Sequence, residues 1–281
     1  MTAGIVTTDH WIVHPRGRLF ARQWRADGAG SMGATIVLLH DSLGCVELWR
    51  DFPALLATAT RRRVVAYDRL GFGRSDARTG RPSKDFIAEE AVAIFPTLRE
   101  QLDIDRFVVV GHSVGGGMAV EIAVDAPADC EALVTMSAQA FVEDRTIAGL
   151  RVAQAQFEDP RQVERLARYH GSKASWALDA WLGQWLDPAF ASWSLDATLP
   201  RVACPVLAIH GEQDEYGSAA HPGRIVDGVA GPARLEMLPG VGHVPYREQP
   251  ERVVQLIADF LATAARAEAR ADVQPPRANS G

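Results

Sequence analysis

The residues best placed to do chemistry surround Ser113. Residues 108–117 read Val-Val-Val-Gly-His-Ser-Val-Gly-Gly-Gly, so a run of β-branched residues leads into Gly-x-Ser-x-Gly, and an apolar, alanine-rich segment follows. This order predicts a strand, a sharp turn and a helix, in which Gly111 and Gly115 supply the room that such a turn requires. We therefore predict that Ser113 is a nucleophile held above the end of the strand, with the backbone N–H of Val114 facing a developing oxyanion.

A serine hydroxyl is a weak nucleophile at neutral pH, so it needs a base and an acid that orients the base. After a turn of this kind, the expected chain order is serine, acid and histidine. His243 lies in a glycine-rich loop after the last predicted strand, and Asp214 lies in the loop after the preceding strand. We predict His243 as the general base and Asp214 as its partner. The competing acids are Glu212 and Glu215 in the same loop, and Glu143 and Asp144 shortly after an earlier strand.

Strands and helices alternate along most of the chain, and these elements must bring the three side chains together. The predicted strands are 11–14, 18–24, 35–39, 63–68, 108–110, 132–136, 205–210 and 234–238, with a glycine-rich loop over 27–33. The predicted helices are 49–60, 84–102, 118–126, 218–229 and 248–267. Such alternation predicts the α/β class, with a mostly parallel central sheet and helices on both faces. Ligands of these sheets bind beyond the carboxyl ends of the strands, where the three candidate residues are expected.

The alternation stops over about residues 141–199, which we predict to be a helical cap inserted into a core formed by 1–140 and 200–268. This segment holds four of the seven tryptophans, so it carries much of the bulky apolar surface. Trp181 and Trp185 lie four residues apart, on one face of a predicted helix. They either pack the cap onto the core or line a substrate pocket, and the sequence leaves both interpretations open.

The bulk properties exclude several classes of protein. The net charge is −6 without any basic run or stripe, so nucleic acid is not an expected partner. No apolar run reaches transmembrane length and the first residues lack the pattern of a signal peptide, so no membrane association is expected. The cysteines, Cys45, Cys130 and Cys204, lack metal-ligand spacing and fit a reducing cytoplasm. We expect no metal, no cofactor and a small-molecule substrate, while the oligomeric state stays open. The polar tail, 269–281, is expected to be disordered.

The chain resembles the α/β-hydrolase superfamily, in the form that carries a helical cap, from about Val13 to Thr263. The motifs that carry the resemblance are Leu39-His40-Asp41-Ser42-Leu43-Gly44, Asp68-Arg69-Leu70-Gly71-Phe72-Gly73-Arg74-Ser75, Gly111-His112-Ser113-Val114-Gly115-Gly116, Gly211-Glu212-Gln213-Asp214 and Gly242-His243. In this family the loop after the third strand usually reads His-Gly-x, and residue x donates its N–H to the oxyanion. The resemblance therefore implies an oxyanion hole formed by Ser42 and Val114. Asp41 stands at the glycine position. Because Asp tolerates the left-handed backbone better than most residues, we expect the loop to keep its shape with the carboxylate turned away.

These residues predict a serine hydrolase that cleaves a small, largely apolar carboxylic ester, or a lactone or thioester, through an acyl-enzyme on Ser113. The nearest alternative is a carbon–carbon bond hydrolase of ring-cleavage products, whose members share the resembled fold and triad. A cofactor-independent perhydrolase uses the same triad and also stays open. Dehalogenases and epoxide hydrolases of this fold need Asp at the turn, which disfavours both. An alternative of a different class is a non-catalytic ligand receptor on the same fold.

Overall fold

The computed structural model describes residues 4–27 and 33–273. Most of the glycine-rich loop predicted over 27–33, and residues 274–281 of the predicted tail, lie outside the described residues. Within the described ranges the chain forms one eight-stranded sheet, in the order β1-β2-β4-β3-β5-β6-β7-β8. Its strands are β1 (Ile5–His14), β2 (Gly17–Ala26), β3 (Thr35–Leu39), β4 (Val64–Tyr67), β5 (Phe107–His112), β6 (Cys130–Met136), β7 (Val206–Gly211) and β8 (Ala233–Leu238).

The sheet is parallel except at its N-terminal edge. β1 pairs antiparallel with β2, and β2 pairs antiparallel with β4, whereas β3 to β8 follow parallel pairings. The strands β3, β4 and β5 are buried at every position, which explains why they are continuous apolar runs. The predicted α/β class and mostly parallel sheet are confirmed. The opening hairpin is longer than predicted, because its antiparallel pairing continues out to Ile5 and Ala26.

Helices cover both faces of the sheet, and the sheet separates two apolar cores. The α-helices are α1 (Phe52–Thr60), α2 (Phe86–Glu89), α3 (Phe95–Gln101), α4 (Val114–Asp125), α5 (Asp144–Gln156), α6 (Pro160–His170), α7 (Ala174–Trp185), α8 (Ala220–Gly228), α9 (Pro245–Glu248) and α10 (Pro250–Val273). The helix predicted over 84–102 is interrupted between α2 and α3 by a π-helical segment, Glu90–Ile94. Pro96 lacks the N–H that a regular α-helix would bond four residues back, so the helical turns loosen just before it.

The segment predicted as a cap, 141–199, contains α5, α6 and α7 between β6 and β7. The final helix, α10, continues to Val273 and therefore runs into the stretch expected to be a disordered tail, where alanine-rich sequence favours helix. No helix in the described part of the chain is long and apolar enough to cross a membrane.

Candidate active site

Ser113 lies at the sharp turn between β5 and α4, as the glycine pattern predicts. Its backbone has φ 55° and ψ −125°, a strained conformation for a residue with a Cβ. A Cβ at Gly111 would overlap the carbonyl oxygen of Gly115, and a Cβ at Gly115 would overlap that of Leu39. Only glycine therefore allows β5, the turn and α4 to approach this closely. The turn leaves Ser113 at the carboxyl end of the sheet, 7% exposed.

His243 and Asp214 form the hydrogen-bonded pair expected of a base and its partner. Nδ1 of His243 lies 2.9 Å from each carboxylate oxygen of Asp214 and donates its hydrogen to that carboxylate. The backbone N–H groups of Tyr216 and Gly217 donate to Oδ1 of Asp214 at 2.8 and 3.2 Å, which fixes the carboxylate. The pair lies in the loops after β7 and β8, in the predicted order along the chain.

The electrostatics of this pair suit a general base. Burial alone would lower the pKa of His243, but the hydrogen bond and charge of Asp214 outweigh burial, so the pKa lies above its ordinary value. Burial likewise would raise the pKa of Asp214, whereas the His243 ring and the backbone N–H of Tyr216 bring it below its ordinary value. Asp214 therefore stays ionised when His243 takes a proton.

The competing acids occupy other places. Glu143 accepts hydrogen bonds from Ser218 and lies 3.0 Å from Nε2 of His221. Its carboxylate therefore connects the start of the segment predicted as a cap with the loop that follows Asp214. Glu215 lines the cavity described below without a hydrogen bond to His243 in the described structure. Glu212 is solvent-exposed, and Asp144 begins α5. Only Asp214 among these acids hydrogen-bonds to the base.

The hydroxyl of Ser113 donates to Oε1 of Gln139 at 3.2 Å. Within the described residues no hydrogen bond joins Ser113 directly to His243, although both line the same cavity. Catalytic hydrogen bonds are often long or absent before substrate binds, so this geometry is compatible with a Ser113–His243 pair. Gln139 gave no recognisable pattern in the sequence, because a single glutamine after a strand has no distinguishing spacing.

A cavity of about 280 Å³ opens beside Ser113, between the core and the cap. Its apolar wall consists of Leu43, Leu150, Ala153, Phe157, Trp181, Trp185 and Val244. Its polar wall consists of Asp41, Ser42, Ser113, Gln139, Thr146, Gln156, Glu215, Tyr216 and His243. Both tryptophans singled out in the sequence therefore face this space. The described lining holds two carboxylates, on Asp41 and Glu215, and no lysine or arginine.

The two residues expected to form an oxyanion hole lie beside the nucleophile. Ser42 lines the cavity with Ser113, and Val114 is the first residue of α4, so its N–H has no acceptor within the helix. Asp41 differs from expectation because it does not take the left-handed backbone. The loop instead turns through a hydrogen bond from the N–H of Gly44 to the carbonyl of Asp41 at 3.2 Å.

The Asp41 carboxylate points at Gly44 and at the ring of His112. Its Oδ1 lies 3.8 Å from Nδ1 of His112, which is too long for a hydrogen bond but close enough for a strong electrostatic interaction. Burial would raise the pKa of Asp41, yet the neighbouring His112 holds it well below its ordinary value. Nε2 of His112 donates to the backbone carbonyl of His243 at 2.8 Å. His112, which ends β5, thus connects the loop that carries His243 to β5.

Another histidine, His170 at the end of α6, joins the cap to two core loops. Its Nδ1 accepts from the N–H of Gly73 at 2.8 Å, and its Nε2 donates to the carbonyl of Leu43 at 3.0 Å. Leu43 follows Ser42, so the cap directly holds the loop that carries one predicted oxyanion donor. Sequence reasoning missed His170, because its partners lie about a hundred residues away and share no spacing with it.

Metal and thiol chemistry find no support in the described residues. No group of three or more His, Cys, Asp or Glu side chains there could hold a metal ion. Burial raises the pKa of Cys45, the cysteine nearest the oxyanion loop, to about 12, so its thiol stays protonated.

Comparisons with known proteins agree with this fold. A family model described as the alpha/beta hydrolase family matches residues 36–256. The 2-hydroxymuconate semialdehyde hydrolase of Pseudomonas sp. (strain CF600) is 25% identical over 262 residues, covering 83% of this chain and 88% of that protein. The 2-hydroxy-6-oxo-6-phenylhexa-2,4-dienoate hydrolase from Rhodococcus sp. strain RHA1 aligns with a TM-score of 0.74 and 18% identity, over 92% of this chain and 100% of that chain. The enol-lactonase from Burkholderia xenovorans LB400 aligns with a TM-score of 0.70 and 21% identity, over 90% of this chain and 100% of that chain. At these identities the two solved structures show a shared fold.

Proposed function

Because the chain belongs to the alpha/beta hydrolase family, we propose that it is a serine hydrolase that cleaves a small, neutral and largely apolar carboxylic ester, or a lactone or thioester, through an acyl-enzyme on Ser113. The observation that carries the proposal is the geometry of the base. His243 is held by Asp214 at 2.9 Å and lines the same cavity as the strained Ser113. A non-catalytic receptor would have no need of a buried, hydrogen-bonded acid and base beside a strained serine.

The mechanism follows from these positions. Oγ of Ser113 attacks the ester carbonyl carbon while its hydrogen passes to Nε2 of His243, and Asp214 stabilises the imidazolium that forms. The backbone N–H groups of Ser42 and Val114 stabilise the oxyanion. Collapse of the tetrahedral intermediate breaks the bond between the carbonyl carbon and the alkoxy oxygen of the ester. The leaving alcohol takes its proton from His243. Water then attacks the acyl-enzyme with His243 again as the base, and the acid is released.

The charge of the cavity favours a neutral substrate. Its described lining includes the carboxylates of Asp41 and Glu215 but no basic side chain. An anionic substrate group buried there would lose its hydration without gaining a cation, and it would be repelled by both carboxylates. The apolar wall, which includes Trp181 and Trp185, instead suits an aliphatic or aromatic acyl or alkyl group.

Carbon–carbon bond hydrolysis of ring-cleavage products is the second candidate, because two similar proteins are named as hydrolases of a muconate semialdehyde and of a phenylhexadienoate. The dienoate named for the Rhodococcus enzyme carries a carboxylate, so a site for it should present a cation. Three arginines line an adjoining cleft of about 30 Å³, which shares Ser42, Trp181 and Trp185 with the cavity. Arg69 donates to the carbonyl of Asp41, while Arg16 and Arg78 pair with Glu89. A space of that size holds about one water molecule, so we rank ester hydrolysis first.

The two candidates separate in a matched substrate comparison. The substrates are 4-nitrophenyl butyrate, the monoanionic 4-nitrophenyl hemisuccinate, and 2-hydroxy-6-oxo-6-phenylhexa-2,4-dienoate, with Ser113→Ala as the control for each. We expect kcat/KM for the neutral ester to exceed that for its anionic analogue by at least about 10-fold, since an unpaired charge must be buried. Faster turnover of the dienoate than of either ester would contradict the ester proposal and support the second candidate.

A further inference from the structure

Gln139 is the residue whose side chain accepts a hydrogen bond from the hydroxyl of Ser113 in the described structure. It follows β6, is 3% exposed, and accepts the Ser113 hydroxyl through Oε1 at 3.2 Å. No described residue accepts a hydrogen bond from its Nε2, and the side chain lines the cavity. That amide nitrogen is therefore open to the cavity and to a group that binds there.

The backbone around Gln139 is built to hold the amide in place. Ser137 has a positive φ of 47°, which turns the chain sharply after β6. A Cβ at Gly116 would overlap Ala138, so α4 and this turn are in the closest possible contact. The N–H of Ala140 donates to Nδ1 of His221 at 3.1 Å, and Nε2 of that ring lies 3.0 Å from the carboxylate of Glu143. The residues on both sides of Gln139 are therefore fixed, and its side chain is aimed at the nucleophile.

The hydrogen-bonding capacity of an amide allows two arrangements at this point. With Oε1 facing Ser113, the serine hydrogen is bound by Gln139 and is not available to His243. Rotation of the terminal amide by half a turn brings Nε2 to the same place, where it donates to Oγ of Ser113. The serine hydrogen is then free to turn to Nε2 of His243, and the amide N–H stabilises the negative charge that grows on Oγ during proton transfer.

We propose that Gln139 is a catalytic residue whose amide holds Ser113 at rest through Oε1 and activates it, after rotation, by donating from Nε2 to Oγ. The proposal rests on the function proposed above, because it assumes that Ser113 is the nucleophile. Gln139 would then be a fourth side chain that takes part in the reaction, beside Ser113, His243 and Asp214. Rotation of its amide would be an additional step before nucleophilic attack. The residue contacts the attacking oxygen itself, so its effect belongs to the rate of nucleophilic attack.

The test uses the rate at which a fluorophosphonate probe labels Ser113 in the full-length protein, together with the melting temperature. The variants are Gln139→Met, which keeps the length but removes both hydrogen-bonding groups, and Gln139→Glu, which keeps an acceptor and adds a charge. The control is Gln154→Glu, the same charge change on the exposed face of α5. We expect labelling to slow about 10-fold in Gln139→Met and at least about 100-fold in Gln139→Glu. The control should stay within about twofold of the wild-type rate.

Labelling of both Gln139 variants within about twofold of the wild-type rate would overturn the proposal. Equal slowing in the two variants would also overturn it, because loss of a structural glutamine alone could produce that result. If Gln139→Glu does not fold, the rate of Gln139→Met decides by the same criterion. The probe reacts with any activated serine. Wild-type protein that labels at Ser113 but hydrolyses no ester would therefore contradict only the proposed substrate. Wild-type protein that does not label at Ser113 would contradict the nucleophile itself.

Discussion

Ser113 is the residue whose removal gives the most direct result. Ser113→Ala deletes the attacking oxygen but keeps the Cβ and the strained turn, so we expect nearly complete loss of hydrolysis with an unchanged circular dichroism spectrum. A fluorophosphonate probe should modify Ser113 in the wild-type protein and no other serine, as peptide mass spectrometry would show. Near-normal turnover by the variant would contradict the assignment of the nucleophile.

Asp214 sets both the orientation and the proton affinity of the base. In Asp214→Asn we expect kcat to fall on the order of 10⁴-fold, because the amide favours the wrong imidazole tautomer. The base must be neutral to act, and Asp214 holds the pKa of His243 above its ordinary value against burial. The midpoint of the acid limb in the plot of kcat/KM against pH should therefore lie above the ordinary pKa of histidine in the wild type. In the variant the midpoint should move to lower pH. The matched controls are Glu212→Gln and Glu215→Gln, and a loss as severe in either of them would mean that the acid is misassigned.

Sequence alone could predict those residues whose role depends on a recognisable arrangement of neighbouring residues along the chain. Ser113 needs glycines around it, and His243 and Asp214 need loops after strands in a fixed order, so chain position alone indicates them. Gln139, His112 and His170 act through contacts made only when distant segments meet. Gln139 and His170 belong to no motif, and His112 occupies the variable position of one. The backbone of Asp41 was expected to be left-handed and is not, because the Gly44 N–H closes the turn in another way.

At the scale of elements, α7 carries Trp181 and Trp185 in different environments. Trp185 is 4% exposed and packs against Phe190 and Trp193 with ring centroids 5.3 and 5.6 Å away, whereas Trp181 is partly exposed and meets Tyr216 at 6.0 Å. Trp185→Ala should destabilise the fold by about 3–5 kcal/mol, as large aromatic truncations do. Trp181→Ala should change acyl-chain preference more than stability. The measurements are melting temperature and kcat/KM for acetyl and octanoyl esters, and parallel rates on both esters in Trp181→Ala would exclude a role in the pocket.

The contact between α6 and the core should affect catalysis from a distance. His170→Phe leaves the N–H of Gly73 and the carbonyl of Leu43 buried without partners, which costs about 1–3 kcal/mol each. Since Leu43 adjoins Ser42, we expect both a lower melting temperature and about a 10-fold loss of kcat/KM. Tyr169→Phe, on the preceding and exposed residue of the same helix, is the control. Unchanged kcat in His170→Phe would show that the oxyanion loop holds its shape without the cap.

Hydrophobic periodicity and strand–helix alternation predicted most elements, because burial on two faces leaves a clear pattern in β3, β4 and β5. The same reasoning missed the π-helical segment Glu90–Ile94, since Pro96 loosens the helix without changing its apolar spacing. It also ended α10 too early. The end of an amphipathic helix is weakly specified by sequence when the last residues are rich in alanine.

At the scale of the whole molecule, the net charge of −6 and the acidic cavity act in the same direction. The negative electrostatic field of the protein should slow the association of anionic esters, whereas it should not change the association of neutral esters. Raising the ionic strength from 20 to 500 mM should therefore increase kcat/KM for 4-nitrophenyl hemisuccinate and leave that for 4-nitrophenyl butyrate nearly unchanged. A decrease for the anionic ester would indicate a cationic element in its path.

The backbone at Ser113 also has a consequence for laboratory evolution. A residue with a Cβ at φ 55° and ψ −125° carries about 1–3 kcal/mol of strain, and glycine adopts this conformation freely. A library screened only for resistance to heat should therefore enrich Ser113→Gly, and the most heat-resistant clones would be inert. Thermal selection of this protein has to be coupled to an activity screen in every round, because one of the strained positions at which glycine can add stability is the proposed nucleophile.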